Sequence, residues 1–302
     1  MKVNYIFDKE TNCFTWELVS KEDKVFALIK IFQKEKFLEV LDLKFFDEIQ
    51  KDEAKRIFIN LLKEHARHSL IKEIIISENI DLENIEINKQ NVNPEDIKII
   101  PETDNYKHQS EAVCKKSFNN KFVPGCNEHL FLHELRKTDL YLPEFSRIAI
   151  LNNKVVGGIW FTKSYVVRNS DNIKIPLVTF GPLCVDPEYQ GCRIGEKLLL
   201  ETLPLVKNAG FPGVIIFGEP TYYPRFNFKT CDNFNITTSD GSNFDAFMGL
   251  EFEENSLLEI AKDGGAKFFE IDIENILTPE RLSEFDKQFE NLISFKRPGQ
   301  WN

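Results

Sequence analysis

From residue 24 to 46 the chain reads KVFALIKIFQKEKFLEVLDLKFF, where apolar and aromatic residues alternate in places with polar ones. That pattern predicts two adjacent strands. DEAKRIFINLLKEH follows, with apolar side chains at Ala54, Ile57, Phe58, Leu61 and Leu62. Offsets of i, i+3, i+4, i+7 and i+8 line one face of an amphipathic helix. KEIIISEN then predicts a short buried strand, and the polar, turn-rich ENIEINKQNVNPED places a domain boundary at Asn93–Glu95.

The second part opens with a strand, IKIIPETD, and two helical stretches, HQSEAVCKKSF and NEHLFLHELRK, with a turn at Pro124–Gly125 between them. SRIAIL and KVVGGIWFTKSYVV read as strands joined by a tight Asn152–Asn153 turn, and LVTFGPLCV as a third. A helix is expected from Ile194 to about Asn208, stopping at Asn-Ala-Gly and kinked at Pro204, where the bond to the Leu200 carbonyl is lost. Strand GVIIFGEP and an aromatic segment, TYYPRFNF, come next. FNITTS and DAFMGLEF then read as strands joined through an Asp240–Gly241 turn of the hairpin kind. Thr278 as N-cap and Pro279 at the first helical position begin a last helix, with Leu282, Phe285 and Phe289 on one face.

This pattern divides the chain into an N-terminal α/β domain over 1–93, a second domain over 94–275 and a helical tail over 276–302. LDLKFF, helix and EIIIS in the first part repeat the order of LVTFGPLCV, helix and GVIIF in the second. Two readings stay open. One is a degenerate internal duplication whose first copy lost its glycine loop; the other is that strand–helix–strand is the commonest α/β unit.

Composition narrows the class. Of 302 residues 42% are hydrophobic and 28% charged, with 27 phenylalanines, as in a packed globular protein. No uncharged apolar run is long enough to span a membrane, and MKVNYIFDKE lacks a secretory apolar core. The six cysteines form no CxxC pair, so reduced thiols in a cytoplasm are expected. A formal net charge of −10 argues against a nucleic-acid-binding surface. The first part is expected to pack in cis or to pair between subunits of a homodimer.

The chemistry centres on DPEYQGCRIGEKLLL. A helix N-terminus presents unpaired N–H groups and about half a positive charge, and glycines before it let a phosphate approach the backbone. Gln190-Gly191-Cys192-Arg193-Ile194-Gly195 has this layout between a strand and an amphipathic helix. Alone it is a weak signal.

Its neighbours strengthen it. FGPLCVDPEYQGCRIGEKLL followed by NAGFPGVIIFGEPTYYPRFNF resembles the acetyl-CoA core of the GNAT superfamily of N-acetyltransferases. PGCNEHLFLHELRK, TFGPLCV, TYYPRFNF and TTSDGSNFDAFMGLEF resemble a bacterial subgroup with PGCNEHL, TFGPL, YYxRFGF and TTSDGxNFDAFM motifs. The resemblance covers roughly residues 97–275 and leaves 1–92 unexplained. It implies a mixed, mainly antiparallel sheet flanked by helices, with the first part a degenerate half of the same kind under the duplication reading. It implies acetyl-CoA as cosubstrate, its pantetheine arm along Leu183, Cys184 and Val185, its pyrophosphate on Gln190, Gly191, Cys192, Arg193, Ile194 and Gly195, and no metal.

Amine attack on a thioester needs a deprotonated nucleophile, an oxyanion donor and a proton for the departing thiolate. A backbone N–H near Cys184 or Val185 is the expected donor. Tyr223 holds the family position of the tyrosine that protonates the thiolate, while Tyr222 reads as packing. Glu219 is the candidate base, through a water. Glu128, His129 and His133 form a polar cluster expected to border the acceptor, with Asn243 and Asp245 as further contacts. Cys126, His129 and His133 have a metal-like spacing without an evident fourth ligand. His65 and His68 read as cations near a helix C-terminus.

Two departures mark the motifs. Arg193 replaces the loop's usual glycine, at a cost of about 1 kcal/mol if φ is positive. Its guanidinium offers a phosphate contact of about 1.5–3 kcal/mol in return. Asn227 replaces the glycine of RFGF, which asparagine tolerates in the left-handed region. The expectation is an acetyl-CoA-dependent N-acetyltransferase acting on a primary amine, with a catalytically weak acyl-CoA sensor as the alternative and a ligand-free scaffold as a third.

Overall fold

The computed structural model describes residues 1–69, 71–85, 92–270 and 276–300. The chain forms two compact units that are not contiguous in sequence. Met1–Gln90, Lys116–Cys126 and Asn291–Asn302 make the first, and Asn91–Lys115 with Asn127–Glu290 make the second. No linear division of the chain expresses this grouping; the boundary expected at 275 lies outside the described residues.

The first unit is one sheet and one helix. β1 (Lys2–Asp8), β2 (Cys13–Val19), β3 (Val25–Lys34) and β4 (Phe37–Phe45) form an antiparallel meander. α1 (Lys51–His68) then carries the chain across to β5 (Glu73–Ile76), which pairs parallel with β4. Alternation buries Phe14, Trp16 and Leu18 of β2 and Ala27, Ile29 and Ile31 of β3 on one face, where α1 lays Ala54, Ile57, Phe58, Leu61 and Leu62. Each large side chain closed away in this way contributes about 1.5–3 kcal/mol. Lys30 pairs with Asp42 and Ile31 with Val40, so Leu41 is an extra residue that bulges β4.

Residues 116–126 and 291–300 finish this core. Phe295 is 1% exposed, edge-on to Trp16, whose Nε1–H donates to the Lys296 carbonyl at 2.9 Å. Asn120, in the left-handed region, donates from Nδ2 to Ile293 O and accepts the Phe295 N–H at Oδ1. The buried Arg297 donates to the carbonyls of Asn120 (2.7 Å) and Lys121 (2.6 Å).

Here the structure corrects the reading of His65 and His68 as cations. His65 lies fully buried between Phe14 and Trp16, with Nε2–H donating to Gln33 Oε1 at 2.8 Å. His68 donates to Asn119 O at 2.8 Å. Burial, with Arg297 nearby, pushes both pKa values down to about 3, so both are neutral. Desolvation outweighs the favourable helix terminus.

The second unit is built on a nine-stranded sheet. Its elements are β6 (Lys98–Pro101), α2 (Lys107–Phe118, whose last turn belongs to the first unit), α3 (Glu128–Leu135), β7 (Arg147–Leu151), β8 (Lys154–Arg168) and β9 (Lys174–Val185). α4 (Ile194–Asn208) runs through Pro204 to β10 (Gly213–Phe217). β11 (Lys229–Thr230), β12 (Ile236–Thr238), β13 (Phe247–Glu251), α5 (Ser256–Ile260), β14 (Ala266–Phe269) and α6 (Pro279–Asp286) follow. The strand order is β11-β13-β10-β9-β8-β14-β12, with β7 joining β6 to β8.

Asn152 and Asn153 take positive φ in the expected turn, and the Thr278 side chain caps α6. The hairpin expected between FNITTS and DAFMGLEF does not form. β12 pairs parallel with β14, while β13 pairs with β10 and β11, so the Asp240–Gly241 turn redirects the chain instead. β6 through β10 repeat the order and sense of β1 through β5: three antiparallel pairings, then a helix-crossed parallel one.

Candidate functional site

The site begins with a mismatch between β9 and its two neighbours. Toward β8, Phe180 pairs with Phe161 and Leu183 with Ile159, so Gly181 and Pro182 together face Trp160. This is a bulge of the kind that re-aims a strand beside a functional site. Toward β10, β9 pairs in parallel only at Val178–Val214, while β10 is paired along its whole length, Gly213–Phe217, to β13 on its other edge. Leu183, Cys184 and Val185 therefore run on paired to β8 along one edge, with no strand beside the other among the described residues.

β9 leads directly into the loop. Asp186 accepts the Glu188 N–H at 3.0 Å, and Gln190 Nε2 donates to Val185 O at 3.3 Å. Gly191 has φ 86°, and Arg193, the residue capping α4, has φ 62°. The left-handed conformation anticipated for Arg193 is present, and no side chain caps this helix start. The N–H groups of its first turn therefore receive no capping side chain. Arg193 is not free: its guanidinium binds Glu196 through Nε–Oε2 at 2.9 Å and Nη2–Oε1 at 2.5 Å.

Two tyrosines close the far side. A Cβ on Gly195 would lie 2.6 Å from the Tyr222 hydroxyl, so glycine is what lets Tyr222 reach the helix start. Arg225 stacks over the Tyr222 ring at 4.0 Å. Tyr223 is buried, with Phe180 and Phe228 at centroid distances of 6.0 and 5.4 Å, and its ring runs where a Cβ on Gly218 would be. Among the described residues its hydroxyl has no hydrogen-bond partner. Burial pushes its pKa up, so the phenol keeps its proton. Glu219 is exposed, its Oε1 accepting from Thr221 Oγ1 at 3.1 Å, and Asn227 sits at φ 66°, as its replacement of glycine requires.

The cluster on α3 resolves into separate partnerships. His129, fully buried, pairs through Nε2 with Asp286 Oδ1 at 2.8 Å and stacks on Phe285; burial holds its pKa down to about 4 despite the carboxylate. His133 Nδ1 lies 2.9 Å from Glu111 Oε1, which also accepts Arg136 Nη1 at 2.5 Å. Arg136 then grips Glu102 through two bonds, and Trp160 Nε1–H donates to the same carboxylate at 3.2 Å. Glu128 starts α3, half-buried. The two histidines thus address different carboxylates, Cys126 belongs to the first unit, and no His/Cys/Asp/Glu group fit for a metal occurs among the described residues. Asn243 donates to Ile236 O, a turn role, and Asp245 is exposed. The Glu102–Arg136–Glu111 chain went unnoticed in the sequence because its members are 9 to 34 positions apart, without a motif.

No family model matches the chain. It is 36% identical over 90 residues to the uncharacterized N-acetyltransferase YjhQ of Escherichia coli K12, 30% of this chain and 48% of that one. Over 119 residues it is 27% identical to the uncharacterized N-acetyltransferase YhbS of the same strain, 39% and 65% of the two chains. The chain thus spans about half of the first relative and just under two thirds of the second. Among solved structures, a GNAT family acetyltransferase from Brucella melitensis in complex with acetyl-CoA aligns over 52% of this chain and 88% of its own, with 24% identity and a TM-score of 0.42. E. coli YhbS in complex with CoA aligns over 57% and 89%, with 20% identity and a TM-score of 0.47. In sequence, then, this chain is similar to bacterial N-acetyltransferases, and its second unit has the mixed, mainly antiparallel, helix-flanked sheet that the GNAT resemblance implies.

Proposed function

We propose that the second unit transfers an acetyl group from acetyl-CoA to a primary amine by direct attack within a ternary complex. One observation carries this reading: β9 runs on, bare along one edge, into the uncapped start of α4 through left-handed turns at Gly191 and Arg193. That arrangement suits a ligand that is amide-rich at one end and anionic at the other. Leu183, Cys184 and Val185 would bond the pantetheine amides, and Gln190 through Gly195 would seat the pyrophosphate. Glu196 opposes an anion there, but Arg193 neutralises it.

Acetyl-CoA supplies an activated acyl carbon: the C–N bond forms as the C–S bond breaks. A backbone N–H near Cys184 or Val185 holds the carbonyl oxygen as charge gathers on it. Tyr223, protonated and with an unengaged hydroxyl, gives the leaving sulfur its proton. Glu219, reaching through water, takes the proton the amine sheds.

A rise in melting temperature with CoA tests binding, and thiol release from acetyl-CoA over an amine panel tests transfer. CoA binding without turnover of any amine would favour the second reading, a sensor. The hold of Glu196 on Arg193 is what favours that alternative. The first unit we read as a copy of the β6–β10 half in which the loop before the helix has lost its glycines. Its α1 starts at Lys51 behind Asp47–Gln50, with Asp52 and Glu53 in the first turn, which repels anions.

A further inference from the structure

Phe217 and Phe244 are the exposed phenylalanine rings of the second unit among its described residues, 43% and 49% exposed. They lie side by side, centroids 5.9 Å apart and planes 15° from parallel, and Phe247 continues the series behind Phe217 at 5.1 Å and 25°. The two exposed, near-parallel rings make an apolar wall, backed by the buried Phe247, which is tilted 38° from Phe244 at 6.2 Å. Its position is informative. Val214 and Ile216 of β10 pack with Ile194, Leu198 and Tyr223 on one face of the sheet, while Ile215 and Phe247 belong to the core on the other. Phe217 alternates with Ile216, so the wall stands at the end of β10 on the face opposite Tyr223 and α4. Tyr223 packs with the core on its own face, so under the acetyl-transfer reading an acceptor would approach the end of β10 from the wall side.

Charge completes the description. Gly218 N–H donates to Ala246 O at 2.8 Å, one step past the Phe217–Phe247 pair, which brings the pairing toward Glu219 and Asp245. Both carboxylates are exposed. An aromatic surface at the end of a strand pair that continues into two exposed carboxylates is complementary to a flat ring bearing a short-armed ammonium, the form in which a primary amine arrives at neutral pH.

We infer that the acceptor is an arylalkyl amine, its ring laid against Phe217 and Phe244 and its ammonium held by Asp245 and, through the intervening water, by Glu219; this rests on the acetyl-transfer reading for its catalytic consequence, though not for binding. Calorimetry on the CoA-saturated full chain, comparing 2-phenylethylamine with n-pentylamine, tests it alongside turnover of both. The ring should tighten binding about tenfold. Phe244→Ala should abolish most of that preference, and Phe244→Leu, which keeps apolar area but not flatness, should abolish much of it, with the CoA-induced rise in melting temperature unchanged in both. Equal binding of the two amines, or a preference that survives Phe244→Ala, overturns the inference. Preferential binding without acetylation sinks the transfer reading and leaves the aromatic site standing. Acetylation of other amines with no ring preference does the reverse.

Discussion

Arg193 and Glu196, one turn apart at the start of α4, hold each other through two hydrogen bonds of 2.9 and 2.5 Å. The pair sets a carboxylate within the N–H cluster proposed to seat a pyrophosphate, and occupies the guanidinium best suited to join it. Arg193 is 70% exposed and can turn outward once Glu196 releases it. Glu196→Gln should therefore tighten CoA about threefold, measured by calorimetry at low salt. Weaker binding would mean that the pair organises the loop rather than restraining it.

Tyr223→Phe isolates the proposed acid. The lost hydroxyl bonds nothing among the described residues, so the melting temperature should hold within about 2 °C. Turnover should fall on the order of 100-fold while CoA binding stays unchanged. Because burial raises the pKa of Tyr223, the wild-type rate should not decline through loss of this proton below pH 10. An unaffected rate assigns proton delivery elsewhere.

The first unit should weaken on acidification in two stages. His65 and His68 titrate at 6.5 when unfolded and about 3 when folded, so below pH 6.5 the unfolded chain binds more protons and stability falls with pH. Each contributes a slope of about 1.4 kcal/mol per pH unit. Glu64 acts oppositely: burial lifts it from 4.5 to about 7, so it favours the folded state at low pH and loses that as pH rises through this window. One net proton is taken up on unfolding from 6.5 to 4.5, and two below. Denaturation curves at stepped pH should show the steepening, and His65→Asn should halve the acid slope; a straight line through pH 4.5 contradicts the assignment.

Arg297→Ala leaves the Lys121 carbonyl without its donor inside the first unit and the Asn120 carbonyl with Gln300 Nε2 alone. The expected loss is about 3 kcal/mol, and lysine should not restore it, since one ammonium cannot reproduce the fork. Amide hydrogen exchange in β2 and β3 is the readout. Unchanged protection there would show that the segment rests on the surface rather than completing the core.

Legibility followed range. The α4 start, the left-handed Arg193 and Asn227, the Asn152–Asn153 turn and the Thr278 cap depend on neighbours a few positions away, and each was readable. β1 and β2 passed unread, although CFTWELV alternates, because no marked turn brackets them. The hairpin expected at Asp240–Gly241 failed because a turn fixes local geometry, and β14, 30 residues on from Ile236, competes for the strand. His65 and His68 carry no sign of burial in their own helix; the residues that enclose them are Phe14, Trp16 and Arg297. Phe217 and Phe244 looked like two more phenylalanines among 27 until their planes could be compared.

Phe295 and Arg297 reach back into a sheet whose first strand is Lys2–Asp8. The last strand of that sheet ends at Ile76, yet Phe295, a fully buried member of its core, is made more than two hundred residues later. Everything in the second unit is translated in the interval. A chain cut short near residue 290 would carry all the proposed chemistry while leaving Trp16 of the first unit without the edge of Phe295.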